Sequence, residues 1–361
     1  MRLIHDIAPP IPPGDFDEII DVRSPVEYAE DRVPGAINLP VLSDAERAAV
    51  GTLHRQSGEF QARRMGAAII ARNIGAHLES HFAGKPRGYR PLIYCWRGGQ
   101  RSRSLATILS AVGWSCTLIA GGYKAHRTYV RRRLMALPPA ISFRVLAGLT
   151  GSGKTRILAA VAARGGQVLD LEALANHRGS LLGSEIPGGG EPQPSQKGFE
   201  TRLWAALEAF DPARPVFAEA ESRKVGNVSL PTPLWGRLIA APTCDIAAAA
   251  PARARFLLRE YGYLTDQPDY LLEKVEALKA HCGSALVGDW RAQIEAGRWE
   301  EFVASILEHH YDRSYAKNRA YLPAEATIDA GDLSDEAIGA AAAEILAQFS
   351  GGYPERPCQP L

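Results

Sequence analysis

The sequence YCWRGGQRS at residues 94–102 joins two segments of different character. The apolar run PLIY at 91–94 predicts a β-strand. The segment SRSLATIL at 102–109 predicts a helix that begins at Arg101 or Ser102. A glycine-containing loop between a strand and a helix N-terminus turns backbone N–H groups inward, so this stretch predicts an anion-binding loop.

Cys95 is the candidate nucleophile of this loop. Arg97, Arg101 and the helix N-terminus favour a thiolate, which attacks substrates that carry a tetrahedral oxyanion. The alternative is a buried structural cysteine at a strand end. Two glycines and two arginines in the next six positions favour the reactive cysteine. The other residues of the predicted oxyanion loop are Trp96, Gly98, Gly99, Gln100 and Ser102.

The chain has 361 residues, which suits two domains better than one. Its hydrophobic content of 46% and charged content of 22% are typical of a soluble globular protein. The net charge of +1 excludes a global polyanion-binding signal, so a nucleic-acid surface must be a local patch.

The five cysteines are dispersed, with no CxxC pair and no cysteine–histidine cluster at zinc spacing. They predict free thiols in a reducing compartment. The N-terminus lacks a hydrophobic signal core, and no apolar stretch is long enough to span a bilayer. We therefore expect a cytoplasmic protein without a membrane segment.

In the first third of the chain, predicted strands alternate with helices, which implies a parallel sheet in an α/β fold. The segment DVRSPVEY (21–28) ends one strand and starts a helix with Ser24 as its N-cap. Further strands are predicted at 33–40 and 115–120, and helices at 44–50 and 61–80.

DVRSPVEY, VPGAINLP (33–40), the cysteine loop and LIAGGYKA (118–125) together resemble the rhodanese domain, which we assign to residues 1–136. Arg32 replaces the usual histidine of that pattern. The Cys-x5-Arg spacing is one residue longer than in common single-domain sulfurtransferases, so phosphate-sized anions should fit. Two interpretations follow, a cysteine-dependent phosphatase and chalcogen transfer from a phosphate-bearing donor.

A basic stretch leads out of this domain. It is either a solvated connecting helix or a phosphate-contacting surface for RNA. The candidate RNA-binding residues are Lys124, Arg127, Arg131, Arg132 and Arg133.

The strand predicted at 143–147 is followed at once by GLTGSGKT (148–155), a complete P-loop pattern. Its N–H groups would bind a diphosphate, with Lys154 against the charge and Thr155 placed for Mg²⁺. The candidate diphosphate-binding residues are Gly148, Gly151, Ser152, Gly153, Lys154 and Thr155. We assign residues 137–350 to a P-loop domain with a parallel sheet, a helical insertion at about 251–320 and a disordered tail at 351–361.

Asp170 and Glu219 end two predicted strands of this domain, where they would either hold Mg²⁺ through water or cap the next turn. A hydrolytic Walker B strand usually ends in Asp, whereas EAESR follows here, which weakens the case for an ATPase and adds Glu221 and Arg223 as candidates. The other predicted strands lie at 167–170, 215–219, 237–241 and 326–330.

The glycine- and proline-rich stretch at 183–197 is either a flexible surface loop or a substrate loop. Gln193, Ser195 and Gln196 are uncharged hydrogen-bonding residues suited to a nucleobase or a sugar. On the predicted helix after Pro251, Arg253, Arg255 and Arg259 are either lid arginines over a phosphate or solvent-facing charges.

The pairing of CWRGGQRS, GLTGSGKT, GSEIPGGGEPQPSQKGFE and EAESRKVGNVSLP resembles the bacterial tRNA 2-selenouridine synthase family over residues 10–345. The resemblance implies that wobble 2-thiouridine in a tRNA anticodon loop is geranylated from geranyl diphosphate, and that selenium from selenophosphate then displaces geranylthiol. Cys95 would form an S-selanylcysteine intermediate, with Arg97 and Arg101 on the departing group. The P-loop would hold the diphosphate and the basic connector the tRNA. We expect a monomer with no tightly bound cofactor and Mg²⁺ as a candidate.

Three other classes stay open. A rhodanese-fused ATPase or kinase would turn over ATP independently of Cys95. A cysteine-dependent phosphatase would turn over aryl phosphates and leave no selenium on the protein. A non-enzymatic RNA-binding adaptor would leave two anion loops without a use.

Overall fold

The computed structural model describes residues 4–12, 14–177, 192–219, 222–318 and 324–349. The chain forms two compact units, each built around a five-stranded parallel sheet. The first unit contains Met1–Leu134 and Pro194–Ala205, and the second contains Met135–Gln193 and Ala206–Leu361. The predicted α/β class is therefore confirmed for both. Among the described residues, no helix combines the length and the apolar character that crossing a bilayer requires.

The first unit has a sheet of order β1-β5-β4-β2-β3 with helices between its strands. The strands are β1 (Ile4–Ile7), β2 (Glu18–Asp21), β3 (Ala36–Asn38), β4 (Pro91–Tyr94) and β5 (Cys116–Ile119). The helices are α1 (Pro25–Glu30), α2 (Asp44–Ser57), α3 (Glu59–Glu79), α4 (Gln100–Val112) and α5 (Gly122–Ala136).

The central strand β4 is buried along its whole length, which explains its uninterrupted apolar sequence. Helices α3 and α4 cover one face of the sheet with Ile70, Ile74, Leu105 and Leu109. The edge strand β1 was not predicted, because its sequence IHDI alternates weakly and comes just before a run of prolines.

The second unit has a sheet of order β12-β11-β6-β8-β7 and a separate short hairpin. Its sheet strands are β6 (Phe143–Ala147), β7 (Gln167–Leu169), β8 (Val216–Glu219), β11 (Thr243–Ala247) and β12 (Ala324–Asp329), and the hairpin consists of β9 (Lys224–Val225) and β10 (Val228–Ser229). Its helices are α6 (Lys154–Ala163), α7 (Leu171–Ala175), α9 (Thr232–Ile239), α10 (Ala250–Glu260), α11 (Pro268–Glu276), α12 (Lys279–Cys282), α13 (Ser284–Glu295), α14 (Trp299–Ile306), α15 (Asp312–Asn318) and α16 (Asp335–Phe349).

The strand predicted at 237–241 is wrong. Those residues end α9 and the turn after it, and the strand of this region is β11. Pro231 and Pro233 start the helix, and Leu234 and Leu238 lie one turn apart on its buried side. The short apolar run LIAA at the helix end resembled a strand because so short a run cannot separate the two periods.

The helical region predicted from Pro251 is confirmed as α10 to α15. Helices α11, α13 and α14 pack around Trp290, Phe302 and Ile306, whereas α10 packs into the core of the parallel sheet through Ala252 and Phe256. The side chain of Ser334 accepts a hydrogen bond from the Ala337 N–H, so it caps α16 as predicted. The predicted disordered tail at 351–361 lies outside the described residues, as do residues 183–191 of the predicted loop.

Helix α8 (Gln196–Glu208) begins on the first unit, although its sequence lies within the span predicted for the P-loop domain. Thr201 donates a hydrogen bond to the buried carboxylate of Asp31 over 3.0 Å. Trp204 packs edge-on against the rings of His126 and Tyr129 on α5. This segment therefore completes a face of the first unit.

We predict that Glu18 makes the stability of the fold depend on pH. Burial would raise the pKa of Glu18, but hydrogen bonds from Lys85, Tyr89 and His81 outweigh burial and lower it from 4.5 to about 2. The stabilisation is complete above pH 4.5 and is lost as the pH falls towards 2. Glu18→Gln should lower the free energy of unfolding at pH 7 by at most about 3 kcal/mol.

Urea unfolding between pH 7 and pH 3.5 measures this, and the difference from the wild type should shrink over the acid end of the range. The control is Glu79→Gln, because Glu79 is exposed. A Glu18→Gln deficit that stays constant with pH would contradict the prediction.

Candidate active site

Cys95 follows β4 directly and lies at the base of a loop that leads into α4. Cys95 is only 3% exposed to solvent. The hydroxyl group of Ser102, in the first turn of α4, donates a hydrogen bond to the Cys95 sulfur over 3.3 Å. The thiol thus lies at the N-terminus of a 13-residue helix, where the helix field favours negative charge. The helix begins at Gln100, one residue before the predicted start.

The Gly121–Gly122 turn at the start of α5 packs against the cysteine loop. The N–H of Tyr123 donates to the Cys95 carbonyl over 2.8 Å, and the N–H of Lys124 donates to the Trp96 carbonyl over 2.9 Å. Gly122 has a φ of 61°, and a Cβ there would overlap the Cys95 carbonyl. Gly98 has a φ of 67°, and its Cβ would lie 2.9 Å from a carbonyl of β5. Both positions therefore require glycine.

The two predicted arginines differ in their surroundings. Arg97 is exposed in the loop, whereas Arg101 forms an ion pair with Glu27 of α1 over 2.9 Å. Burial would raise the pKa of Glu27, but the hydrogen bond from Arg101 and its charge lower it. Arg101 is thus held in one orientation, and Arg97 is free to follow a bound anion.

Asp21, Arg23 and Asp31 form a buried network of charged side chains. The sequence did not predict the contacts that these residues make. Arg23 is fully buried, pairs with Asp21 over 2.5 Å and lies 4.0 Å from the ring centroid of Tyr123. Asp31 accepts a hydrogen bond from the Tyr123 hydroxyl over 2.7 Å. The DVR tripeptide at 21–23 could have predicted the ion pair, because two charged residues at the end of a buried strand need partners.

The P-loop follows β6 and has the backbone that its glycines predict. Gly148, Gly151 and Gly153 all have positive φ. The ammonium of Lys154 donates to the Gly148 carbonyl over 2.9 Å. The Ser152 hydroxyl is buried and has no hydrogen-bond partner among the described residues. The loop N–H groups and Lys154 therefore form a preformed anion site at the N-terminus of α6.

Glu219 ends β8 beside this loop and is 2% exposed. Burial raises its pKa most, the charge of Lys154 and a hydrogen bond with Thr155 oppose the rise, and the charge of Asp170 adds to it. One of its oxygens, Oε1, has no hydrogen-bond partner among the described residues. Asp170 also caps α7 by accepting from the Ala173 N–H over 2.8 Å.

These groups fit Mg²⁺, which prefers oxygen ligands and keeps several waters. Thr155 would hold the ion directly, and Glu219 and Asp170 would hold it through water. The described residues contain no group of three or more histidine, cysteine, aspartate or glutamate side chains that would hold a metal by themselves. A P-loop ion does not need such a group, because the substrate supplies phosphate oxygens.

Arg253 of α10 supports the P-loop, whereas the sequence suggested that it could be a lid arginine. Its guanidinium is buried, donates to the Thr150 carbonyl over 3.0 Å and pairs with Asp312 over 2.8 Å. The Tyr315 hydroxyl accepts from the Gly148 N–H over 2.7 Å. Nothing in the sequence marked Asp312 or Tyr315, because both lie more than 150 residues from the loop.

The residues predicted for a substrate loop make contacts within their own units. Gln193 donates to the Val225 carbonyl over 2.9 Å and accepts from the Asn227 N–H over 2.7 Å, which holds the β9–β10 turn. Ser195 donates to the Glu30 carbonyl, and Gln196 donates to Glu200 over 2.9 Å.

Two candidates after β8 remain, Glu221 and Arg223, and the structure describes only the second. Arg223 donates to the Thr232 hydroxyl over 3.0 Å at the surface of the second unit. Glu221 lies outside the described residues. Of the two described candidates in this stretch, Glu219 lies at the P-loop and Arg223 contacts Thr232 instead.

The basic residues of α5 divide into two groups. Lys124, Arg131 and Arg132 are exposed and lie within about 100° of one another around the helix. Arg127 is half-buried and forms an ion pair with Glu200. Arg133 is half-exposed. The exposed group forms a positive strip that starts next to the cysteine loop, where the Lys124 N–H contacts Trp96.

Comparisons with known proteins cover both units. A rhodanese-like domain model matches residues 10–128, and a model described as tRNA 2-selenouridine synthase AAA domain matches residues 141–274. The tRNA 2-selenouridine synthase of Marinobacter nauticus is 32% identical over 81% of this chain and 83% of its own length. That of Verminephrobacter eiseniae is 32% identical over 87% and 92%, and that of Nitrosomonas europaea is 38% identical over 61% and 57%.

We predict that the Ser102 hydroxyl activates Cys95. Ser102→Ala removes a hydrogen bond to the sulfur and should slow alkylation of Cys95 by iodoacetamide at pH 7 about three- to tenfold. Mass spectrometry of the Cys95 peptide over time measures the rate.

The matched control is Ser104→Ala, two residues along the same helix, where the hydroxyl donates to the Gln100 carbonyl. An unchanged Cys95 rate in Ser102→Ala, or an equal loss in Ser104→Ala, would contradict a specific role.

Proposed function

The chain belongs to the tRNA 2-selenouridine synthase family, and we propose that it exchanges the sulfur of wobble 2-thiouridine in tRNA for selenium. The observation that carries this proposal is the presence of two separate anion loops, each at a helix N-terminus after a buried parallel strand. One loop holds a cysteine and the other a lysine, so one suits group transfer to sulfur and the other suits a diphosphate. We place the reaction in the cytoplasm.

The cysteine loop takes the selenium from selenophosphate. The Cys95 thiolate attacks selenium, the S–Se bond forms, the Se–P bond breaks, and its electron pair leaves with phosphorus as phosphite. Loop N–H groups and Arg97 hold the oxygens of the leaving group, while Arg101 stays on Glu27. The Cys95-bound selenium then displaces geranylthiolate from the nucleoside. An external thiol attacks the Cys95 sulfur, so that an S–S bond forms and 2-selenouridine leaves as the selenolate. A second thiol reduces the mixed disulfide and restores the Cys95 thiol.

The P-loop binds geranyl diphosphate for the preceding step. Lys154 turns from the Gly148 carbonyl onto the diphosphate, and the buried Ser152 hydroxyl adds a donor. Mg²⁺ on Thr155 and Glu219 would neutralise charge on the leaving diphosphate. The sulfur of the thiouridine takes the geranyl group, which converts it into a better leaving group for selenium.

The tRNA backbone contacts the positive strip of Lys124, Arg131 and Arg132. Arg127 contributes less to this strip because Glu200 already neutralises it. We expect one chain to act alone, since both loops are complete within their own units.

One observation favours a second candidate, a nucleotide at the P-loop. A cavity of about 350 Å³ is lined by Arg156, Phe256, Arg259, Glu260, Leu333, Ser334, Asp335 and Ile338, and its residues Phe256 and Leu333 lie next to Gly153. The polar side chains would hydrogen-bond a nucleoside, and the apolar ones would pack against its base. ATP turnover that survives Cys95→Ser would support this candidate over the first.

We predict a division of labour between the loops. Cys95→Ser should abolish selenation and let S-geranylated tRNA accumulate, because only the selenium carrier is lost. Lys154→Ala should reduce geranylation at least about tenfold, because a charged hydrogen bond to the diphosphate is lost. Mass spectrometry of tRNA nucleosides after incubation with selenophosphate, geranyl diphosphate and a thiol measures both products.

Cys282→Ser and Lys279→Ala are the controls, since these residues are partly exposed and lie on α12. If both site variants block the same step, the division of labour is wrong. If the wild-type protein leaves 2-thiouridine unchanged, the proposed function is wrong.

A further inference from the structure

The tip of the α2–α3 hairpin carries an exposed aromatic ring. Phe60, the second residue of α3, is 74% exposed and is the most exposed large hydrophobic residue of the described chain. Leaving a phenylalanine in water forgoes the stabilisation that its burial would give. A single exposed hydrophobic residue is common and indicates no partner by itself, so the charged side chains near the ring decide what it could contact.

The packing of the hairpin fixes the direction of this ring. Gly58, with a φ of 87°, separates α2 from α3, and Ala62 and Gly66 lie on the buried side of α3. A Cβ on Gly66 would lie 3.5 Å from Val50 of α2, so the two helices pack closely there. Phe60 lies about 200° around the helix from Ala62 and therefore points away from the core.

Two exposed arginines, Arg55 and Arg64, lie within five residues of the ring in sequence. The other three arginines of the hairpin are paired, Arg47 with Glu27, Arg63 with Glu59 and Arg72 with Glu46. Arg55 and Arg64 have no ion-pair partner among the described residues. Arg64 follows Phe60 by four positions, so it lies one turn away on the same face of α3.

We propose that this tip is a second RNA contact, in which an unpaired base stacks on Phe60 while Arg64 and Arg55 bind adjacent phosphates. The inference rests on the proposed function, which makes tRNA the substrate. Stacking of single-stranded bases on aromatic side chains between basic residues is the usual mode of such binding. The tip is distinct from the positive strip on α5, which has no exposed ring.

The chemistry favours RNA over the other occupants of an exposed apolar residue. A protein interface or a bilayer surface requires a larger apolar patch than one ring provides. Met65, the next exposed hydrophobic residue, is 38% exposed and lies about 140° around the helix from Phe60. A single ring beside separated guanidinium groups matches one base and its phosphates.

The test is the Kd of the full-length protein for a tRNA transcript, measured by fluorescence anisotropy at several salt concentrations. Phe60→Leu should raise Kd at least about fivefold, because the base loses its stacking partner, while the slope of log Kd against log salt stays unchanged. Phe60→Tyr keeps a ring and should stay within about twofold of the wild type. Arg64→Gln should raise Kd and reduce the salt slope by about 0.7 to 0.9.

Matched controls lie on other helices. Val112→Ala alters an exposed hydrophobic residue at the far end of α4, and Arg291→Gln alters an exposed arginine of α13. Neither should change Kd. Thermal unfolding midpoints should be equal for all variants, since none of these side chains is buried.

The outcomes separate this inference from the proposed function. A wild-type protein that does not bind tRNA contradicts both. A wild-type protein that binds tRNA, with Phe60→Leu binding equally well, overturns the RNA contact and leaves the proposed function standing. Loss of binding to anionic vesicles, or of self-association, in Phe60→Leu with unchanged tRNA affinity also overturns it.

Discussion

The cysteine loop depends on two backbone hydrogen bonds from Tyr123 and Lys124, the residues that follow the Gly121–Gly122 turn. They hold the carbonyls of Cys95 and Trp96 to the start of α5. The arrangement works only with glycine at position 122, where any Cβ would overlap the Cys95 carbonyl. Main-chain geometry thus positions Cys95, and the hydrogen bond from Ser102 adds a side-chain contact to its sulfur.

Both units solve the same physical problem. Each ends a fully buried parallel strand in a glycine-rich loop and starts a helix there, so that helix N–H groups meet an anion. They differ in the side chain that each loop carries, which is the Cys95 thiol in one and the Lys154 ammonium in the other. They also differ in support, since Arg253 braces the P-loop from α10 whereas α5 braces the cysteine loop through its backbone. The second loop also has the buried Oε1 of Glu219 beside it, which has no hydrogen-bond partner in the part of the chain that the structure describes and which a metal ion would satisfy.

The sequence predicted what local rules control. The positive-φ glycines of the two loops and the alternation of strands and helices follow from motifs and short-range periodicity, and these parts of the fold are confirmed. The strand predicted at 237–241 failed because a four-residue apolar run does not distinguish a helix end from a strand. The edge strand β1 was not predicted because it forms by pairing with β5, a tertiary contact that the sequence IHDI does not indicate. Tyr315, which supports the P-loop from 167 residues away, was beyond any local rule for the same reason.

Asp31 belongs to no recognised motif, yet it is linked to the cysteine loop through Tyr123. Its carboxylate accepts hydrogen bonds from the Tyr123 hydroxyl and from Thr201 of α8. The backbone of Tyr123 in turn holds the Cys95 carbonyl. A segment that follows the P-loop in sequence therefore contributes a hydrogen bond to the same side chain whose main chain shapes the cysteine loop. The rhodanese-like unit is complete only with residues from beyond its sequence match, and this explains why a boundary drawn from motifs alone misses α8.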